Sequence, residues 1–413
     1  MKDLNFNSYV HKLNNGLKVI TIKRDTQLAS VHIGLKIGAI YESSREKGIS
    51  HLIEHMLFKG TEKRDNEKLN EELEFLGGQY NAYTDYNCTV YGVTALKEEL
   101  KNGLELLSDM IINPVFDIEE LKKEKKVICA EIKASKDDIE DYSLKKIHEA
   151  AFDKSPLKHD VAGTESSVNR ISRKMLVDYY KSYYTPDNSI ITVVSSYDHK
   201  EAFSMIEEYF SNWQGKRTIE VPIIKENNRP VEKVSHKQDM ELSTVTYLYT
   251  YHDMDKDMEL PLKILNMRLG ESSNSILFRE LREKRGLAYD VYTYLDMSKN
   301  VKSLYIYTAV AKENINETIK TINRCIEDIK SGEIVFNDKT VELMKKVHKT
   351  AVLSTLEDPA ELGNYVLHQS LENEDIYEYI SEMKELEGLR ADHIYSVAGC
   401  VLNEPTVHIL KSL

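Results

Sequence analysis

The segment His51-Leu52-Ile53-Glu54-His55 constrains this chain more than any other. Two imidazoles and a carboxylate stand at i, i+3 and i+4, so on a 3.6-residue period they share one helix face. Leu52, Ile53, Met56 and Leu57 cover the other sides. A helix that is apolar almost all round is a buried helix. Its one polar face then needs partners, because a buried polar group without them is costly. Surface histidines on an amphipathic helix are the plainer reading of the spacing, and the apolar flanks argue against it. Neutral imidazole is the commonest zinc ligand, and a carboxylate beside a metal-held water is a ready general base. A divalent metal on that face would satisfy all three side chains.

The rest of the chain can bury such a helix. Its 413 residues exceed one ordinary core, and 41% hydrophobic with 30% charged residues is a globular composition. No apolar run approaches the roughly 18 residues that span a bilayer; Ile190–Val194 has the length of a strand. Met1–Tyr9 is polar and carries no signal-peptide core, so the expected location is the cytosol. Cys88, Cys129, Cys325 and Cys400 are scattered without a C-x-x-C, which speaks against a disulfide framework or a cysteine-built metal site. The net charge of −13 argues against nucleic acid as a partner.

Strand and helix patterns occur twice. Tyr9–Leu13 and Leu17–Lys23 flank the turn Asn14-Asn15-Gly16, and Val31–Ile40 reads as a third strand. Helical patterns follow at about 48–59 and 66–76, then strands at Gln79–Thr84 and Thr89–Ala95. Helices resume at about 97–111 and 117–136, and a strand at Ile190–Ser195 precedes a helix ending near Trp213. Residues 215–230 have linker character. Beyond them Thr244–Tyr251 mirrors Val31–Gly38, Tyr289–Thr293 mirrors Tyr80–Thr84, and Ser303–Val310 mirrors Thr89–Ala95. Repeats decide architecture. The expected fold is α+β: two homologous domains, each a mostly antiparallel sheet packed with helices. The expected boundaries are 1–217, a linker at 218–232, and 233–413. Leu265–Leu269 stands near where the first half has its histidines, so the second half lacks a metal site.

A catalytic zinc takes three protein ligands plus water. The helix 117–136 offers a third. Asp117 with Glu120 makes a capping-box-like start, and Ile118, Leu121, Ile128 and Ile132 form its apolar stripe. Glu124 and Glu131, seven apart, stack two turns apart at the border of that stripe. Spacing alone leaves two readings open, a metal ligand or the solvated edge of a charged helix.

Gly48–Thr61 as a whole, including the H-x-x-E-H of inverted zincins, resembles the signature of the insulinase / mitochondrial-processing-peptidase family, the pitrilysin-type zinc peptidases. The resemblance implies one Zn2+ per chain held by His51, His55 and Glu131, with Glu54 as general base and Glu124 supporting the site from behind. Gly77–Thr84 is similar to the family's substrate-pairing edge strand, which implies main-chain hydrogen bonds to peptide from Asn81 and Ala82. Phe278–Tyr289 looks like the family's R-x6-Y element, which implies that Arg282 and Tyr289 hold substrate carbonyls. Ser155–His159 and Val194–Asp198 depart from the family pattern, and both lie away from the implied ligands.

The function so implied is a zinc endopeptidase that hydrolyses peptides or short unfolded segments in a chamber, each chain forming half of a clamshell. The implied assembly is a homodimer or a heterodimer with a related chain. A non-catalytic peptide-binding or assembly subunit is the alternative, although such relatives usually lack the ligands or the base. A metal-binding protein without hydrolytic activity is a third reading.

Overall fold

A computed structural model describes residues 5–217 and 223–413. The chain forms two α+β units, each built on one sheet. The first sheet holds β1 (Asn7–Lys12), β2 (Lys18–Lys23), β3 (Leu28–Leu35), β4 (Gln79–Thr84), β5 (Thr89–Leu96) and β6 (Ser189–Ser195), in the order β1-β2-β6-β3-β5-β4. The second holds β7 (Glu232–Lys237), β8 (Ser243–Thr250), β9 (Ala288–Asp296), β10 (Ser303–Val310) and β11 (Thr406–Ser412), in the order β7-β11-β8-β10-β9. Without β1 the two orders coincide strand for strand. Among the described residues, only β2–β6 and β7–β11 pair in parallel. The strand repeat inferred from short sequence likenesses is therefore a repeat of topology.

Alternation along each strand explains how the first sheet carries a core on both faces. Val19, Val31, Ile33, Tyr91 and Val193 point into one cluster, which includes Leu52, Ile53, Leu104 and Leu107. Ile20, Ile22, Val90, Ile190 and Val194 point into another, with Leu362, Val366 and Leu367. Successive side chains of a strand face opposite ways, so a strand covered on both faces reads as an unbroken apolar run. That is why Ile190–Val194 carries no polar alternation: every residue of β6 is buried. Gly34 allows the second cover to come close, since a Cβ there would sit 2.8 Å from Leu371.

The covering helix comes from far along the chain. Of the described residues, 5–132, 160–217 and 352–380 make up the first unit, and 133–159, 223–351 and 381–413 the second. Helix Pro359–Glu372 packs on β3 and β6, and helix Ile139–Ala151 packs on β8 and β11. Each starts at an aspartate, Asp358 or Asp138, whose carboxylate accepts two backbone N–H bonds from the first turn. Compact units and homologous halves are thus different divisions of this chain. Of the expected linker, 218–222 lies outside the described residues. Residues 223–231 form no helix or strand, but Glu226 accepts N–H bonds from Asp153, Lys154 and Ser155, and Arg229 donates to Ala150 O.

The third strand stops earlier than its pattern suggests. β3 ends at Leu35, and Ala39–Tyr41 turns as a short 3-10 segment. Ala39 N and Ile40 N donate to Asp85 O and Tyr86 O, both at 3.0 Å. Gly38 makes this close approach possible, because a Cβ would lie 2.4 Å from Asp85 O.

Candidate metal centre

Helix Ile49–Leu57 is buried on three sides, with Leu52, Ile53 and Leu57 at 0% exposure. Its open N-terminus is closed from upstream. The Glu42 carboxylate accepts N–H bonds from Gly48 and Ser50, each at 2.9 Å, satisfying two of the orphan donors of the first turn. Burial pushes the Glu42 carboxyl up to about 7 against the lowering effect of those two bonds. Sequence reasoning missed Glu42, because a cap six residues upstream has no fixed spacing to look for.

The remaining face of the helix presents His51, Glu54 and His55. The two imidazole centroids lie 4.6 Å apart at 74°. Helix Ile118–Asp137 brings two carboxylates to them, and Asp117 Oδ1 starts that helix by accepting from Glu119 N and Glu120 N. Glu124, buried, accepts from His55 Nδ1 at 3.1 Å and from Lys59 Nζ at 3.0 Å. Glu131 is more exposed and lies 3.7 Å from His55 Nε2.

The hydrogen bond to Glu124 assigns the proton of His55. A carboxylate only accepts, so Nδ1 carries the hydrogen and neutral His55 keeps its lone pair on Nε2, towards Glu131. Burial disfavours the His55 cation, but the bond to Glu124 and the charges of Glu131 and Glu54 outweigh it and raise the pKa. Burial likewise pushes Glu124 up, and the bonds from His55 and Lys59 reverse the sign. His51 behaves oppositely. Burial, with the neighbouring His55, lowers its pKa to about 4, so it stays neutral near pH 7.

These residues fit a divalent ion. One donor atom each from His51, His55 and Glu131 lies within 4.8 Å of the others. Two donors with bonds of roughly 2.0–2.1 Å at a tetrahedral metal stand about 3.3 Å apart, close to the 3.7 Å between His55 Nε2 and Glu131. His51 Nδ1 is buried without a protein partner. Two imidazoles and a carboxylate are the donor types of catalytic zinc.

Glu54 is placed beside that donor set. Thr84 Oγ1, at the end of β4, donates to its Oε2 at 2.6 Å. Burial raises the Glu54 pKa against the effects of Thr84 and His55. Thr84 was part of the quoted edge segment but carried no assigned role in the sequence reading. Asn81 and Ala82 lie on the same strand, opposite Gly92 and Tyr91. β4 is the last strand of its sheet, and among the described residues no strand pairs its outer edge.

Arg282 and Tyr289 belong to the second unit and are described there. Arg282 lies in the π-helical segment Phe278–Glu283, exposed, with its guanidinium 5.1 Å from the Phe278 ring centroid. Tyr289, on edge strand β9, is 73% exposed. The structure thus gathers His51, Glu54, His55, Glu124 and Glu131 in one unit, and presents Arg282 and Tyr289 on the surface of the other. Among the described residues no helix is long and apolar enough to cross a membrane.

Fold and site together define a two-unit α+β protein with a histidine–carboxylate constellation suited to a divalent metal. Comparison with known proteins gives the family. Residues 18–165 match the family described as insulinase (peptidase family M16), and residues 170–347 match the peptidase M16 inactive domain. A Bacillus subtilis protein named an uncharacterized zinc protease is 30% identical over 83% of this chain and 83% of its own length. Subunit 1 of the mitochondrial cytochrome b-c1 complex of Bos taurus is 27% identical over 56% of this chain and 48% of its own. A protease from Helicobacter pylori has a crystal structure of the same fold, with a TM-score of 0.92 over 98% of this chain and 100% of that one at 21% identity. The chain belongs to the insulinase family, M16.

Proposed function

We propose that the chain is a zinc-dependent endopeptidase acting on peptides or short unfolded segments. The observation that carries the reading is the approach of His51, His55 and Glu131 to within 4.8 Å beside a half-buried carboxylate, Glu54. In this reading His51, His55 and Glu131 would hold one zinc ion. When bound, zinc supplies Lewis acidity and brings the pKa of a water in its open position to about 7. Glu54, its carboxylate oriented by the Thr84 hydroxyl, would be the general base toward the attacking water. The same carboxyl group, once protonated, would be the acid for the leaving amine. Glu124 orients the His55 ring through Nδ1. The unpaired edge of β4 offers Asn81 and Ala82 as main-chain partners for an extended peptide. Arg282 and Tyr289, exposed on the second unit, are the proposed donors to substrate carbonyls.

The proposed assembly is a homodimer, or a heterodimer with a related chain. Names of relatives support the zinc-protease class, while the substrate and the base are this reading's own. Purified chain with a peptide library tests it. Cleavage that a chelator stops, zinc restores and Glu54→Gln abolishes is the expected result. Zinc binding without cleavage of any peptide would instead favour the assembly-subunit reading.

A further inference from the structure

The second unit carries arginines whose charge goes uncompensated. Arg268 lies in the π-helical segment Met267–Glu271 and Arg279 in Phe278–Glu283, and both segments pack against edge strand β9. Such wide turns are rare and occur often at functional sites. We propose that Arg268 and Arg279 form a carboxylate-binding subsite, which takes an acidic side chain or the C-terminal carboxylate of a bound peptide. A peptide is the occupant because Arg282 and Tyr289, assigned to substrate carbonyls in the peptidase reading on which this rests, belong to the same segment and strand.

Local hydrogen bonds tie the two segments to each other and to the strand. Arg268 Nη1 donates to Asn274 O, in the loop that leads into the second segment. Arg279 N donates to the O of the next residue, Ser275, at 3.1 Å. Thr293 seats the first segment on β9. Its hydroxyl donates to Asn266 O at 3.1 Å, and a Cβ on Gly270 would lie 2.4 Å from its Cγ2. In the first unit the matching threonine, Thr84, holds Glu54. One strand position thus seats a carboxylate in one unit and the arginine-bearing segment in the other. A tight turn joins the second segment to β9, with Gly286 N donating to Arg282 O at 3.0 Å and Leu287 N to Leu281 O at 2.8 Å. Gly286, at φ +62°, supplies the left-handed residue of that turn.

The acids of these segments do not neutralise the arginines. Glu280 is shared by Lys284, Arg285 and Arg324. Glu271 accepts from Asn266 Nδ2 at 3.2 Å. Among the described residues no carboxylate pairs with Arg268, Arg279 or Arg282. Arg268 is half-buried, and burial lowers its pKa; the charge of Arg279 lowers it further, with no carboxylate opposing. Two cations held near each other and partly out of water are costly until an anion joins them. A guanidinium has five N–H donors in a planar fork. Asn274 O takes one from Arg268, and no described group takes any from the Arg279 side chain. Free donors of that shape match a carboxylate, which can accept two parallel bonds.

The test uses full-length, zinc-loaded Glu54→Gln protein, which should bind peptide without turnover. Fluorescence anisotropy compares labelled peptides of one apolar sequence: the C-terminally amidated parent, the amidated parent with a single glutamate scanned through it, and the parent with a free C-terminus. The expected result is that glutamate at one position, or the free terminus, tightens binding by about tenfold or more over the parent, the worth of charge-assisted hydrogen bonds. Which of the two does so identifies the source of the carboxylate. Arg268→Gln and, separately, Arg279→Gln should remove that preference and leave the affinity for the parent unchanged. Arg279 is exposed, so its variant carries the test should Arg268→Gln not fold. Arg324→Gln, which removes a cation already paired with Glu280, should keep the preference. Equal affinity for all the peptides, a preference that survives both variants, or variants that weaken every peptide alike would overturn the proposal and leave the peptidase reading standing. No binding of any peptide would overturn both.

Discussion

Helix Ile118–Asp137 and helix Asp338–Glu357 each run twenty residues from a side-chain cap, Asp117 in the first and Asn337 in the second. Counted from those caps, the positions of Glu124 and Glu131 hold Met344 and Ala351. Each unit also buries a histidine–glutamate pair. In the first, Glu124 bonds His55 and leaves Nε2 towards Glu131. In the second, Glu382 lies between His348 Nε2 at 2.6 Å and Lys263 Nζ at 2.9 Å. Each glutamate also meets a lysine, Lys59 or Lys263, and the first pair differs in its open side, where His55 Nε2 faces a second carboxylate, Glu131. One strand order therefore supports two electrostatic uses. The second unit takes the same strand order with Met344 and Ala351 where the first has its two carboxylates.

The largest expected effect breaks the open side. His51→Ala or His55→Ala should remove the one zinc equivalent assigned to this centre, measured as metal per chain after gel filtration; an unchanged metal content would place the ion elsewhere. Glu54→Gln comes next. It should keep zinc while turnover drops by about 10²–10⁴-fold, the usual worth of a general base. Normal turnover in that variant would remove Glu54 from the mechanism. Glu124→Gln should weaken metal affinity or activity by roughly 10–100-fold, as losses behind a ligand do. An unchanged affinity would make the His55–Glu124 bond merely structural.

Glu382→Gln sharpens the other side of the comparison. Burial pushes the Glu382 carboxyl up, but His348 and Lys263 outweigh it and hold it at about 2. A depressed carboxylate contributes stability above its unfolded pKa near 4.5 and loses that contribution as pH falls through about 2. The variant should be destabilised at pH 7 by about 3 kcal/mol, converge with wild type only below about pH 2, and keep its zinc. Denaturant melts at several pH values check this, and a pH-independent difference would contradict it. The smallest effects are expected at Arg282→Ala and Tyr289→Phe, a lower kcat/KM with zinc retained.

How much of this was legible in the sequence follows from the physics of each part. The helix that gathers His51, Glu54 and His55 on one face was legible because these side chains are local, at i, i+3 and i+4, and its flanks are apolar. Glu131 was not, since a carboxylate at the border of a stripe reads as readily as a solvated edge; only the family resemblance or the coordinates bring it to His55. The strand repeat was visible through short apolar likenesses. The exchange of helices Ile139–Ala151 and Pro359–Glu372 was not, because amphipathicity says that a face is buried and not against which sheet. Thr84 and Glu42 act through tertiary hydrogen bonds that leave no periodic trace.

Anomalous diffraction at the zinc edge from crystals of the metal-loaded chain tests the central claim most directly. The account predicts a peak among His51, His55 and Glu131, about 2.0–2.2 Å from each donor atom. Density for zinc only elsewhere, with the Glu131 carboxylate turned away from the two imidazoles, would contradict it.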